Sequence, residues 1–164
     1  DRLVAGMGCH KRASLDFHMR NAMFGHLTLN VFGPRMAEMN PDVFEFVRHS
    51  TDLYKSFIRP YLADALIYHH TPDNQEVMKQ GWLAIETAAP DASRAALGIF
   101  LVTECGVTQA RVYPRGLSAE KTYRVTFDNT RTTATVSGFE LINNGVNVRI
   151  TGSLSSELVT FEEV

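Results

Sequence analysis

The sequence predicts an α+β chain in two parts. Residues 1–64 read as the terminal strand–helix units of a (β/α)8 barrel, and residues 65–164 as an antiparallel β-sandwich. Two observations predict this. The hydrophobic pattern alternates short strands with helices up to about residue 65 and then keeps a period of two almost throughout. In the second half Gly, Asn and Asp recur at the spacing of turns between short strands, which is how a sandwich of seven or eight strands is punctuated.

In the first half, Leu3-Val4-Ala5 is a short buried strand running into Gly6-Met7-Gly8. Ser14 is placed to cap a helix whose apolar positions Leu15, Met19, Ala22 and Met23 recur at helical spacing and end at Gly25. Leu27, Leu29 and Val31 alternate with polar neighbours as a second strand, which Gly33-Pro34 ends. Asn40-Pro41 then supplies an N-cap oxygen and a φ preset for the first helical turn. Val43, Phe46, Val47, Tyr54, Phe57 and Ile58 form one apolar stripe, and Arg59-Pro60 is expected to stop that helix. Six such side chains, at roughly 1.5–3 kcal/mol each, are worth on the order of 10 kcal/mol to whatever covers them. Two strands and two helices cannot close a barrel, so an upstream barrel is the expected cover, with packing of this half on the β-domain as the alternative.

The second half reads as strands at Leu66–Tyr68, Gly81–Thr87, Ala95–Val102, Val107–Val112, Tyr123–Phe127, Thr132–Ser137, Val146–Ile150 and Leu158–Phe161. Ala95–Val102 is apolar at nearly every position, as a central strand buried on both faces must be. Asp128-Asn129 opens a hairpin turn, and Ser137 caps a helical turn that Asn144-Gly145 closes.

Composition removes several classes of function. Hydrophobic residues make up 45% and charged residues 21%, the proportions of an ordinary globular chain. The formal charge is −2 with no basic stripe, so nucleic acid is not an expected partner. No apolar run approaches the roughly 20 residues that span a bilayer, so no membrane partner is expected either. Cys9 and Cys105 lack CxxC spacing, which excludes a disulfide framework and a Cys-rich zinc site and permits the cytoplasmic residence favoured here. The chain begins at Asp1 rather than Met, so it reads as a piece of a longer protein with any targeting signal upstream.

The fixed points of the last fifty residues carry a resemblance. Gly116-Leu117 precede Lys121-Thr122-Tyr123-Arg124-Val125, followed by Ser137-Gly138-Phe139-Glu140-Leu141, Gly145-Val146-Asn147-Val148 and Ser155-Ser156-Glu157-Leu158-Val159. Together they resemble the C-terminal β-domain of glycoside hydrolase family 36, the α-galactosidase-like enzymes. Upstream, Met7-Gly8-Cys9-His10 is similar to the family's Met-Gly-Ser-His, and Ala22-Met23-Phe24-Gly25 and Tyr54-Lys55 are similar to its helix ends. Arg20 stands nearer to that Ala-Met-Phe-Gly than the family's arginine, and His26–Phe32 lacks the family's Glu-Leu-Asp.

The resemblance implies the C-terminal end of a catalytic barrel plus its β-sandwich, from a retaining hydrolase of terminal α-galactosides that uses an aspartate nucleophile and an aspartate acid/base. Such chemistry needs two carboxyl groups about 5–5.5 Å apart. The family places them on earlier barrel strands, and this chain, whose Asp16 and Asp52 lie on helices, is expected to be inactive alone. The departures leave open a related hydrolase of α-glucosides or α-N-acetylgalactosaminides. A non-catalytic carbohydrate-binding sandwich is the alternative of a different class. The expected partners are a carbohydrate substrate, the upstream barrel and a homo-oligomeric contact; no cofactor and no metal is expected.

Cys9, His10 and Lys11 follow the first strand and would face a barrel's active-site mouth, which makes them the candidate substrate-binding residues. His10, His18 and His26 fall on loop, helix and strand, so their even spacing does not make a metal site. His69 and His70 point to opposite faces of a strand and are expected to hold ordinary polar contacts. Trp82 could stack on a sugar but is expected to pack between sandwich and barrel. Lys121, Arg124 and Arg149 read as a solvated face, and Tyr123 and Phe127 as core.

Overall fold

Arg94–Leu101 presents apolar side chains on both faces, and the layers of the molecule follow from that strand. Ala95, Leu97, Ile99 and Leu101 face one core, and Ala96 and Phe100 face another. The computed structural model of the chain describes residues 4–5, 13–25, 27–29, 40–71, 81–102, 109–150 and 154–164. Numbered along the chain, the described strands are Val4–Ala5 (β1), Thr28–Leu29 (β2), Leu66–His69 (β3), Trp82–Ala88 (β4), Arg94–Leu101 (β5), Gln109–Val112 (β6), Thr122–Phe127 (β7), Thr132–Ser137 (β8), Val146–Arg149 (β9) and Ser156–Glu163 (β10). The helices are Leu15–Met23 (α1), Pro41–Leu53 (α2), Arg59–Leu62 (α3) and Gly138–Asn144 (α4).

A six-stranded sheet in the order β3-β4-β5-β10-β7-β8 forms the middle layer, and each of its pairings is antiparallel. The small sheet β6-β9 and helix α4 cover one face. Ala110, Val112, Val146, Val148 and Ile150 meet Leu97, Ile99, Tyr123, Val125, Val159 and Phe161 there, as two sheets of a sandwich do. The chain is thus a small α+β unit, mostly antiparallel sheet, consistent with a β-sandwich.

Helices cover the other face. Met23, Phe24, Tyr54, Ile58 and Tyr61 pack against Ala96, Phe100 and Leu158, while Val47 joins Met19 and Ala22 between the helices. The apolar stripe predicted to need an upstream cover is therefore covered in good part by α1 and by the sheet of the same chain. Gly98 makes the close approach possible: a Cβ there would lie 2.4 Å from the Phe24 ring. β1 and β2 pair in parallel, Val4 with Thr28 and Ala5 with Leu29, on either side of α1.

Local signals behave mostly as their chemistry dictates. Asn40 accepts a hydrogen bond from the Asp42 amide at 2.8 Å with Pro41 in the first turn. The Ser137 hydroxyl caps α4 through the Glu140 amide, and Gly145 closes it at φ 72°. Ser14 differs. Its backbone is at the N-cap of α1, but its hydroxyl donates to the Leu154 carbonyl at 3.0 Å, tying the helix start to the approach of β10.

Arg59-Pro60 does not stop its helix either. Residues Tyr54–Ile58 widen into a π-helical turn, with the Arg59 amide reaching back to the Tyr54 carbonyl, and α3 continues to Leu62. The wider turn moves away the carbonyl that the proline ring would strike, and the missing N–H falls at the start of a new α segment. The predicted Val31 strand end, Gly33-Pro34 and Val107 lie outside the described residues.

Tyr123 is fully buried; its hydroxyl donates to the Ala92 carbonyl at 2.8 Å and accepts from the Ser118 amide at 2.9 Å. Phe127 is half-buried at the edge of the same core. Tyr123→Ala should lose about 3–5 kcal/mol in urea denaturation and Phe127→Ala distinctly less. Equal losses would contradict the packing.

Candidate functional site

The densest cluster of charge lies between the helices and β10. Arg20, on the inner face of α1, is 1% exposed. Its guanidinium donates to Asp128 Oδ2 at 2.6 Å and to the Ser156 carbonyl at 2.7 Å, with Glu157 4.0 Å away. Asp16, one helical turn before Arg20, accepts the Ser156 amide at 2.7 Å and the Ser156 hydroxyl at 2.8 Å. Glu157 Oε1 accepts the amides of Asn129 and Leu158, each at 2.9 Å. The Phe46 ring of α2 covers the guanidinium at 5.9 Å.

His49 brings α2 into the cluster. Arg131 donates to its Nδ1 at 2.8 Å, so Nε2 carries the proton and donates to Asp128 Oδ1 at 2.6 Å. With both ring nitrogens engaged, this imidazole has neither a lone pair nor a proton to offer a substrate. The carboxylates around it are likewise committed to a guanidinium or to backbone amides. The arrangement holds segments together and is not set up for acid–base or nucleophilic chemistry.

The carboxyls titrate in opposite senses. Burial works to raise Asp128, but the charge and hydrogen bond of Arg20 and the contact with His49 outweigh it and hold the group below the usual carboxylate value. Burial raises Glu157 and prevails over the Asn129 and Leu158 amides and the charge of Arg20. A carboxyl lowered on folding stabilises the fold above the ordinary carboxylate range, and that contribution is lost as pH falls through its folded value. One raised on folding costs stability when ionised, and acid relieves the cost.

A second buried carboxylate lies on the opposite face of the sheet. Glu86 of β4 accepts the Arg115 and Gly116 amides, each at 2.9 Å, and contacts His70 Nε2 at 2.8 Å. His70 thus has the polar contact expected of it, and His69 is exposed.

Beyond these clusters, an open cleft of about 760 Å³ lies beside Tyr61, Asp64, Pro90, Arg94 and Glu162. Arg94 and Glu162 within it are already paired with each other. Arg94 reaches Glu162 at 3.2 Å and stacks on Phe57 at 5.4 Å. Burial pushes the Tyr61 phenol up to about 12 as it turns inward to Thr87.

The candidate substrate-binding residues Cys9, His10 and Lys11 lie outside the described residues, as does His26. Trp82 departs from expectation. It shares strand parity with Ala84 and Ala88, so its half-buried ring packs into the core between the two sheets, on the face away from the helices. Lys121 and Arg124 do face solvent, where they pair with Glu163 and Glu162. Asp52 is an exposed helix residue 3.7 Å from Arg48. Sequence reasoning missed Arg20, Asp128, Glu157 and His49; the one available signal was an arginine on the apolar face of α1, in the turn after Asp16.

Comparison with known proteins follows this architecture. Residues 82–161 match the glycosyl hydrolase family 36 C-terminal domain. The α-galactosidase from Lactobacillus brevis superposes with a TM-score of 0.76 at 18% identity, over 98% of this chain and 22% of that one. A family 36 α-galactosidase from Geobacillus stearothermophilus gives 0.76 at 17% identity, over 99% of this chain and 21% of its own. The galactosidase domain of an α-galactosidase–sucrose kinase gives 0.74 at 13% identity, over 98% and 22%. At these identities the likeness is one of fold, and the chain spans about a fifth of each of these proteins. No curated protein matches the chain.

Exchanging the two acids separates their roles. Asp128→Asn should cost roughly 3–5 kcal/mol at neutral pH, because it leaves part of a buried guanidinium unmatched, and should flatten the acid limb of stability below about pH 4. Glu157→Gln keeps an oxygen for both amides and should be neutral or stabilising at neutral pH. Urea melts from about pH 3 to pH 8 measure both; equal losses would refute the assigned signs.

Proposed function

We propose, for a chain whose residues 82–161 match the glycosyl hydrolase family 36 C-terminal domain, that it is the C-terminal part of an α-galactosidase-like retaining hydrolase of terminal α-galactosides. In this reading residues 1–64 are the closing strand–helix units of the catalytic barrel and residues 65–164 the sandwich that braces them. The observation that carries it is the join. One face of the six-stranded sheet holds α1 and α2 through a shared apolar core and the Arg20 cluster, so strain on the barrel's closing helices would pass into a rigid sheet. The parallel pair β1–β2 flanking α1 supports a barrel origin for those units. Cys9, His10 and Lys11 would line the sugar pocket at the end of the first unit.

The two catalytic carboxylates would be supplied by earlier barrel strands. The purified chain should therefore show no turnover of nitrophenyl α-galactoside, and turnover at one site per chain would overturn the reading. Calorimetric titration with galactosides should give no heat. Binding heat abolished by Trp82→Ala would favour a carbohydrate-binding module instead, although the packing of Trp82 between the sheets argues against a sugar platform.

A further inference from the structure

His49 holds one contact that it can exchange for a proton. Its Nε2–H donates to Asp128 Oδ1 at 2.6 Å, and its Nδ1 accepts from Arg131 Nη1 at 2.8 Å. The two bonds differ in their access to water. The side chain of Asp128 is 7% exposed, whereas those of His49 and Arg131 are 23% and 55% exposed. A proton from solvent therefore approaches Nδ1 from the side on which Arg131 stands, and the guanidinium has water to move into. Arg131 also occupies a position that its own backbone does not favour. It closes the loop between β7 and β8, whose flanking residues Phe127 and Thr132 are paired, and its φ is 57°. Glycine or asparagine suits that left-handed region better. An arginine there points to a use for its side chain, and the guanidinium is on Nδ1.

We propose that the contact between His49 and Arg131 is a proton-operated latch between α2 and the β7–β8 loop. Neutral His49 offers a lone pair at Nδ1; imidazolium offers an N–H in its place and carries the same charge as the guanidinium. Uptake of a proton from solvent at Nδ1 expels Arg131 and turns the Asp128 contact at Nε2 into a full ion pair. α2 stays attached through Asp128, and the Arg131 end of the loop is let go. The other charges around the ring come from each element packed against it. Arg20 of α1, with Asp16 beside it, holds the second oxygen of Asp128, and Glu157 of β10 lies beyond Arg20. On α2 itself, Glu45 and Asp52 are engaged by Arg48. Among the described residues Arg131 is the group that a proton at Nδ1 must displace. Histidine is the side chain that ordinarily changes charge between about pH 5 and pH 8. That range lies well above the pH at which the lowered Asp128 takes its own proton. The latch belongs to the fold and does not rest on the activity proposed above.

Nitrogen-15 NMR of the chain from about pH 8 to about pH 5 tests this. At the upper end His49 should show the Nε2–H tautomer and Arg131 a restricted guanidinium. On acidification the ring nitrogens should move to imidazolium values, and the heteronuclear NOE of Arg131 Nε should collapse with the same midpoint. Arg131→Gly suits the backbone and removes the cation, so it should raise the His49 midpoint by about half a pH unit or more. Arg131→Gln repeats that test if the glycine loosens the loop. His49→Gln should leave the Arg131 signal indifferent to pH over this range. An Nδ1–H tautomer at the upper end would overturn the proposal, as would a His49 that keeps one protonation state throughout. So would an Arg131 signal that ignores the titration of His49, or a midpoint that removal of the Arg131 cation leaves in place.

Discussion

The guanidinium of Arg20 is the constraint on which the arrangement of layers rests. A charge taken out of water is tolerable only when its partners are in place, and here they come from distant parts of the chain. Asp16 is on the same helix, Asp128 in the turn between β7 and β8, and Ser156 and Glu157 on β10. None of these contacts forms unless α1 lies across β10 in one register. An apolar face alone would let the helix slide; the ion cluster fixes where it stops. Such a cluster contributes less to the magnitude of stability than to its uniqueness, since a well-packed apolar substitute is often as stable.

That fixing matters because the central sheet is apolar on both sides. β5 offers Ala96 and Phe100 to the helices and Leu97, Ile99 and Leu101 to the small sheet. Neither covering layer can be inferred from strand composition, because both faces attract any apolar partner. Two buried carboxylates break the symmetry. Glu157 takes the Asn129 and Leu158 amides beside Arg20, and Glu86 takes the Arg115 and Gly116 amides under the loop that precedes β7. Each commits one region of the sheet to one neighbour.

This division also explains what could be read along the chain. Strands showed themselves because period two is a property of a strand's own side chains: Tyr123 and Val125 are buried, and Thr122 and Arg124 exposed, wherever the strand lies. Capping at Asn40 and Ser137 was legible for the same reason, being local. The Arg20 cluster was not, because Asp128 and Ser156 are over a hundred residues away from Arg20. The helix that runs through Pro60 escaped notice because a π-turn relieves the proline without leaving a composition signal. Trp82 was misplaced although its parity with Ala84 and Ala88 already set it apart from Leu83 and Ile85, which face the helices. Cys9, His10 and Lys11 fall where the structure describes nothing.

The change of hydrophobic period near residue 65 marks a change of layer, and a change of layer need not be a line of separation. Tyr54, Ile58 and Tyr61 precede it and Ala96, Phe100 and Leu158 follow it, yet they share one core. Cutting there would uncover apolar surface on both pieces and leave Asp128 without Arg20. A sheet that is apolar on both faces needs its helices as much as they need the sheet. Such mutual dependence decides where the two helices stand on the sheet.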